Sequence, residues 1–247
     1  MTHFDWTDPF LVSSQLSEAE RAIQQTSEAF AKKELLPLLD KALINEGLPK
    51  QAYQLMGQSG LFGITLPEDY GGSGATYLSY GLLAREVERI DSGFRSIISV
   101  QSSLVMHPIY KFGSTQQKHK YLPSLASGDL IGCFGLTEPD AGSDPAGMKT
   151  KAKDLGNGYY SLSGSKTWIT NSPHAHIFII WAKLEGTDDI RGFVVERAFG
   201  GVETPKIEGK LSLRASDTGM IMMDDVRVPK ENMLDVKGLK GPFSCLN

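Results

Sequence analysis

The sequence predicts an α+β fold, an N-terminal all-α helical domain followed by an antiparallel β-barrel or sandwich domain, and three observations carry the prediction. Up to about position 127, apolar residues recur at helical intervals behind recognisable N-caps. From Gly128 the texture changes to short strand-like runs separated by turn residues, at the spacing of an antiparallel barrel or sandwich. After Val228-Pro229 a Gly/Lys-rich stretch follows. The expected division is therefore 1–127, 128–236 and a linker at 237–247.

Ser17 with Glu20 forms a capping box that starts the first helix, and Ala22, Ile23, Ala29 and Phe30 carry its apolar face towards about Asp40. Pro37 and the Gly47-Leu48-Pro49 break separate it from a second helix, with Pro49 in the first turn and Gly60 as the C-terminal stop. The stretch 66–75 (LPEDYGGSGA) reads as a loop. A third helix is expected from Thr76 to about Asp91, with Leu78, Leu82, Leu83 and Val87 on one face. After Asp91-Ser92-Gly93 comes a nearly apolar fourth helix through Ile97, Ile98, Leu104, Val105 and Ile109, whose lack of a polar face predicts burial on all sides. Ser114 with Gln117 caps a short fifth helix ending near Pro123. In the second part, 130–136 reads as a strand, 159–163 and 166–170 as arms of a hairpin around Gly164-Ser165, and 177–183, 192–196 and 220–228 as further strands.

Composition excludes several function classes. A net charge of -4 over 247 residues gives no electrostatic case for nucleic acid, which needs clustered Lys and Arg along the phosphates. No apolar run approaches the roughly 18 residues of a membrane span, and the opening MTHFDWTDPF is acidic and aromatic rather than signal-like. Cys133 and Cys245 sit among apolar neighbours, which suits reduced, buried thiols in a reducing compartment. Of five histidines only His174 and His176 lie close together, without cysteine or carboxylate at ligand spacing, so no metal site is expected.

The stretch 132–144 (GCFGLTEPDAGSD) concentrates the chemistry. A strand-like run passes into a turn where Thr137, Glu138, Asp140, Ser143 and Asp144 crowd around Gly135 and Gly142. Gly142 lets the backbone approach a ligand without a Cβ in the way, and nearby amides and hydroxyls can converge on an anion or a ring edge. Composition alone leaves a plain polar loop equally open.

Together with KTWITN at 166–171, the string GLTEPDAGSD resembles the first two domains of an acyl-CoA dehydrogenase, and the resemblance covers essentially the whole chain. Within that family, ERIDSGFRSIISVQSSLVM at 88–106 and SLRASDTGM at 212–220 are most similar to glutaryl-CoA dehydrogenase, mainly through Arg95-Ser96. The resemblance implies an FAD cofactor, an acyl-CoA substrate, an electron-transferring flavoprotein as partner, homotetramer assembly, and a role in lysine and tryptophan degradation. It also implies a cytoplasmic or, with a presequence removed, mitochondrial-matrix setting. The family's catalytic base is a Glu in a C-terminal helical bundle, expected to lie beyond Asn247, so this 247-residue chain is expected to be inactive as it stands.

By the same resemblance, Thr137 and Thr170 hydrogen-bond the flavin, Trp168 lies against its ring, Phe134, Leu136 and Ile169 supply walls and backbone contacts, and Gly142 and Ser143 approach the diphosphate and acyl-CoA. Donors at the flavin's pyrimidine edge stabilise the charge that accumulates there on reduction. Glu138 and Asp140 are read as structural, since acidic groups facing a diphosphate would be repelled. Arg95 and Ser96 are assigned to the far end of the acyl pocket, where a guanidinium pairs a terminal carboxylate with two parallel bonds, and Glu88 to orienting Arg95. Phe243, Leu246 and Asn247 match a lead-in that contributes acyl-CoA contacts. A short-chain acyl-CoA dehydrogenase, or a folded module without activity, stands as the alternative.

Overall fold

The computed structural model describes residues 4, 6 and 8–246; the substrate contact expected at Asn247 lies outside them. The helical part follows its caps. After a short α1 (Val12–Gln15), the Ser17 hydroxyl accepts from the Glu20 amide and the Glu20 carboxylate accepts from the Ser17 amide, opening α2 (Glu18–Phe30). Pro37 tightens this helix instead of dividing it. The chain winds through a π-helical Ala31–Leu35 and a 3-10 turn at Leu36–Leu38 into α3 (Leu39–Asn45), because a proline without an amide is tolerated in the first turn of a new helical segment. Pro49 is the N-cap of α4 (Lys50–Gln58), and Gly60 just beyond it has φ of 73°.

Thr76 caps α5 (Tyr77–Glu88), and Asp91 caps α6 (Ser92–Ser99), which runs through a π-helical Val100–Met106 into α7 (His107–Phe112). This long helix is not buried on all sides. Arg95, Ser99 and Ser103 recur every four residues as a half-buried polar stripe that the apolar count hid, serine being small enough to leave the hydropathy high. Helix α8 (Thr115–Ala126) has the predicted Ser114/Gln117 capping box but continues past Pro123. Leu125 and Ala126 are buried there, and their burial offsets the hydrogen bond that Pro123 cannot donate. Among the described residues no helix is long and apolar enough to cross a membrane.

The second part is a curled seven-stranded sheet of β1 (Gly132–Gly135), β2 (Lys151–Asp154), β3 (Tyr159–Thr170), β4 (Ile177–Leu184), β5 (Ile190–Glu196), β6 (Val202–Glu203) and β7 (Thr218–Pro229). It is mixed rather than wholly antiparallel: β1 and β2 both run parallel to β4, on the same edge, β1 along Ile177–Ile180 and β2 at Lys183–Leu184. Alternation of side chains reports strand, not strand direction. The expected hairpin at 159–170 is also one continuous strand. Gly164 marks a bulge in its pairing with β7, and a Cβ there would lie 2.6 Å from Thr150 Oγ1, so the glycine serves a close crossing, not a turn.

Strand β4 shows how the two parts share a core. Ile177, Ile179 and Trp181 face the helices, while Phe178, Ile180 and Ala182 fill the concave side of the curled sheet, so the strand is apolar throughout. Helix 92–112 lies directly on β1, where a Cβ on Gly132 would collide with Val105. Buried Gln101 locks that contact: its amide donates to the Leu125 and Leu130 carbonyls and its oxygen accepts from the Gly132 amide. A second seam joins α3 to the β7 approach through Arg214–Glu46 and Lys206 Nζ on the Asn45 carbonyl.

Candidate functional site

Where the ends of β1 and β3 meet helix 92–112, they enclose a cavity of about 330 Å³. The helix contributes Val100 and Leu104; β1 and the chain after it contribute Phe134, Leu136, Thr137, Gly142, Ser143 and Pro145; the end of β3 contributes Trp168, Ile169 and Thr170. Phe243 of α9 (Lys240–Phe243) and Leu246 close the remaining side. The eight residues read from the two sequence strings as cofactor contacts thus line one space. Val100, Leu104 and Pro145 were not read as site residues, and apolar residues in an apolar helix or after Asp144 carry no local signal of one.

The polar lining is unusual in what it lacks. The side-chain hydroxyls of Thr137, Ser143 and Thr170 have no hydrogen-bond partner among the described residues, and a Cβ on Gly142 would meet nothing within 4 Å. Trp168 stands at the rim with 64% of its surface exposed and a left-handed φ of 59°, at a register shift between Lys166 and Ile169 that lifts it out of the ladder. A bulky residue in that conformation costs about 1–3 kcal/mol, and such strain collects at functional sites. Asn171 anchors the turn behind it: fully buried, it donates to the Gly132 carbonyl, accepts from the Tyr53 hydroxyl and gives its amide to the Asp217 carbonyl. Free hydroxyls, an open glycine and an exposed aromatic face around an apolar cavity suit a planar heteroaromatic ring with a polar edge, which is the chemistry of a flavin.

Behind the lining lies a group that the sequence did not reveal. The chain leaves the edge of β4 after Gly135 and rejoins it at Lys151, and the intervening excursion carries Thr137, Gly142, Ser143 and Pro145. Glu138, 5% exposed, accepts from the Lys149 amide at 2.6 Å, the Thr150 amide at 3.0 Å and the Thr150 hydroxyl at 2.5 Å. Lys166, fully buried, donates to Glu138 Oε1 at 2.8 Å and to the Leu136 carbonyl at 3.1 Å. Burial works to raise the Glu138 carboxyl, but the Lys166 charge and these bonds hold it below its ordinary range. Burial, only partly countered by Glu138, brings Lys166 down to about 8. Asp140 stays on the surface, paired with Lys149 at 2.7 Å.

Arg95, Ser96 and Glu88 do not join the cavity lining. Arg95 Nε donates to Glu88 Oε2 at 2.8 Å across α5 and α6, and Ser92 donates to the other Glu88 oxygen. Bonds from Arg95 and Ser92 hold the Glu88 carboxyl below its usual range. Arg95 also reaches Ser99 at 3.3 Å, next to Val100 of the cavity, so the ion pair sits about one helical turn from the lining, with Ser96 half-buried beside it. Both cysteines are free and buried, and burial pushes Cys133 far up and Cys245 up to about 11, which leaves them unreactive thiols. His176 Nδ1 accepts from the Ile131 amide and His174 lies 3.4 Å from Asp217, both in structural contacts.

A helical domain ahead of a curled half-barrel, with an apolar cavity carrying free hydroxyls at their junction, defines the class. The family model described as "Acyl-CoA dehydrogenase, N-terminal domain" matches residues 17–129 and that described as "Acyl-CoA dehydrogenase, middle domain" matches 133–226. The chain belongs to the acyl-CoA dehydrogenase family. Among solved structures, a glutaryl-CoA dehydrogenase from Mycobacterium smegmatis in complex with FADH2 superposes with a TM-score of 0.92 at 43% identity, over 96% of this chain and 61% of that one. An acyl-CoA dehydrogenase of Bacillus subtilis is 42% identical over 85% of this chain and 56% of its own length. The mitochondrial short-chain specific acyl-CoA dehydrogenase of Mus musculus is 36% identical over 92% of this chain and 56% of its own. The chain thus spans little more than half the length of these curated relatives.

Proposed function

We propose that this chain carries the flavin-binding and part of the acyl-CoA-binding machinery of a glutaryl-CoA dehydrogenase, which oxidises glutaryl-CoA at its α,β carbons and decarboxylates it to crotonyl-CoA and carbon dioxide. The supporting observation is the set of unpartnered Thr137, Ser143 and Thr170 hydroxyls beside open Gly142 and exposed Trp168. FAD, when bound, supplies the hydride acceptor. Thr137 and Thr170 orient its polar edge, Trp168 covers a ring face and keeps water from it, and Phe134, Leu136 and Ile169 form the apolar walls. Gly142 and Ser143 lie against the flavin and its diphosphate, Ser143 also against the acyl-CoA, with Phe243 and Leu246 on the substrate side. Arg95, held by Glu88, pairs the terminal carboxylate. No Asp or Glu among the described residues lines the cavity, and the nearby Glu138 and Glu88 are engaged by Lys166 and Arg95, so none is assigned as the α-proton base. Electron transfer to an electron-transferring flavoprotein, homotetramer assembly, a cytoplasmic or mitochondrial-matrix setting, and a division near Gly128 belong to the same proposal.

The short-chain relatives favour a second reading, in which the acyl group ends in a methyl and Arg95 serves only α5 and α6. Turnover of the complete gene product with glutaryl-CoA and butyryl-CoA separates the two. Arg95→Ala is expected to lower kcat/KM for glutaryl-CoA by about 10- to 100-fold, in line with roughly 1.5–3 kcal/mol for hydrogen bonds to a charged group, and to spare butyryl-CoA. Equal losses on both substrates, or a wild-type preference for butyryl-CoA, would count against the glutaryl assignment.

A further inference from the structure

We propose that Lys166 and Glu138 are positioning residues: a buried clasp that closes the base of the 138–150 excursion and so holds Thr137, Gly142 and Ser143 in the arrangement that receives a flavin edge. This rests on the flavin reading above. The geometry behind it is independent of any ligand.

Apart from the buried side chains of Ala141, Pro145 and Met148, the excursion has little to hold its backbone. It leaves β4 and returns to the same edge, and between Leu136 and Thr150 its backbone bonds beyond local turns are, among the described residues, the Thr167 amide on the Thr137 carbonyl and the tight pair in which Glu138 and Ala141 exchange both bonds. Three donors from its far end, the Lys149 and Thr150 amides and the Thr150 hydroxyl, converge on one carboxylate at its near end. Closing a loop of this size carries an entropic cost that grows only slowly with length, so a few strong bonds at its base suffice to fix it. Bonds to an ionised carboxylate are the strong kind, roughly twice a neutral pair.

A buried carboxylate needs a counter-charge, and Lys166 is the only cation placed within salt-bridge distance of Glu138 among the described residues. Lysine does more here than neutralise. Its second bond, to the Leu136 carbonyl, ties the first residue of the excursion, while the next residue of β3 gives its amide to the Thr137 carbonyl at 3.0 Å. The ammonium and the Thr167 amide thus hold the carbonyls of Leu136 and Thr137, and the ammonium's bond to the Glu138 carboxylate ties the side chain that follows the residue whose free hydroxyl faces the cavity. Gly135 makes room for it, since a Cβ there would lie 3.2 Å from Lys166 Cγ. The charged groups facing the clasp are few. Lys149 turns its ammonium outward to Asp140, and the other side chains around Gly135 that share its space with Lys166, Ile180 of β4 and Ile221 of β7, are apolar. A lysine brought down to about 8 then loses its charge within an accessible pH range, and the clasp should loosen as pH rises through that value.

Hydrogen exchange of the excursion's amides, corrected for the intrinsic rise with pH, tests the clasp without any cofactor, and titration of the same protein with FAD, followed by flavin absorbance, tests its consequence. In Lys166→Met, protection at Ala141, Lys149 and Thr150 is expected to fall tenfold or more while β4 and β5 stay protected, and FAD affinity to fall by a similar factor. Glu138→Gln/Lys166→Met, which leaves no unpaired charge and so folds even if the single variant does not, should keep the sheet's protection but not that of the excursion. In the wild type, protection of the excursion should decline between about pH 7 and 9, a decline absent from the double variant; Asp140→Ala, at the surface, should change nothing. Unchanged protection of the excursion in both clasp variants, or a pH response that survives in the double variant, overturns the clasp. Loss of protection in a protein whose wild type takes up no FAD supports the clasp and refutes the flavin reading instead.

Discussion

Trp168 combines a left-handed backbone with an exposed indole, and each half of that combination makes an opposite prediction. Glycine adopts this conformation without steric penalty, and the indole buries little in the protein itself, so Trp168→Gly is expected to leave the cofactor-free protein as stable as the wild type or about 0.5–1 kcal/mol more stable. FAD affinity should fall about tenfold or more, because the aromatic face is gone. Thermal unfolding and flavin titration of the same variant read the two effects; a drop in stability without a change in affinity would make Trp168 an ordinary packing residue. Trp168, Thr137 and Thr170 were legible in the sequence because they stand inside two specific strings. Lys166 stands in one of those strings and was still missed. A lysine is almost always exposed, and nothing local marks one whose partner, Glu138, is 28 positions away and was read only as structural.

At the scale of elements, caps were read well and glycines less so. The Ser17/Glu20 and Ser114/Gln117 boxes and the Thr76 start came through because a cap is a contact between near neighbours. Gly164 did not, because flexibility for a turn and clearance for a crossing look alike in one dimension; the missing information was Thr150, which packs on it from another part of the chain. The short strands β2 and β6 were passed over for a related reason: KAKD and VE carry little alternation, and only pairing with β3, β4 and β7 makes them strands. Gly164→Ala is therefore expected to destabilise the fold by about 1–3 kcal/mol, through both its φ of 145° and the collision with Thr150, as measured by urea unfolding. A hairpin turn at this position would instead tolerate alanine once the neighbouring Ser165 took up the positive φ. Thr150→Gly in the Gly164→Ala background should recover part of the loss only if the crossing is the cause.

For the whole molecule, the change of texture at Gly128 separates two kinds of secondary structure, yet of the two buried clusters only one is confined to the sheet and the other crosses that position. One buried cluster runs from Leu35 and Tyr53 through Ile98 and Val105 to Phe134, Ile179 and Trp181, and Cys245 belongs to it as well. Helices and sheet therefore bury each other's apolar faces, and although the concave side of the sheet has a cluster of its own, the helical part shares its interior with the sheet. Polar contacts point the same way. Asp217, 1% exposed, lies against Gly47 of the helical part, where it is met by Lys206 at 3.2 Å and His174 at 3.4 Å. Gly47→Ala would drive a Cβ into the Asp217 carboxylate, and displacing a buried charge from its partners costs about 3–5 kcal/mol. If the parts were independent, that cost would open the junction and leave two transitions, one helical and one of the sheet. With a shared core it must instead lower a single transition, seen at the same temperature by far-ultraviolet circular dichroism and by tryptophan fluorescence, with calorimetric and van't Hoff enthalpies equal in both proteins. Two resolved transitions in the wild type would show that the continuous cluster does not couple the parts, which then unfold separately on either side of Gly128.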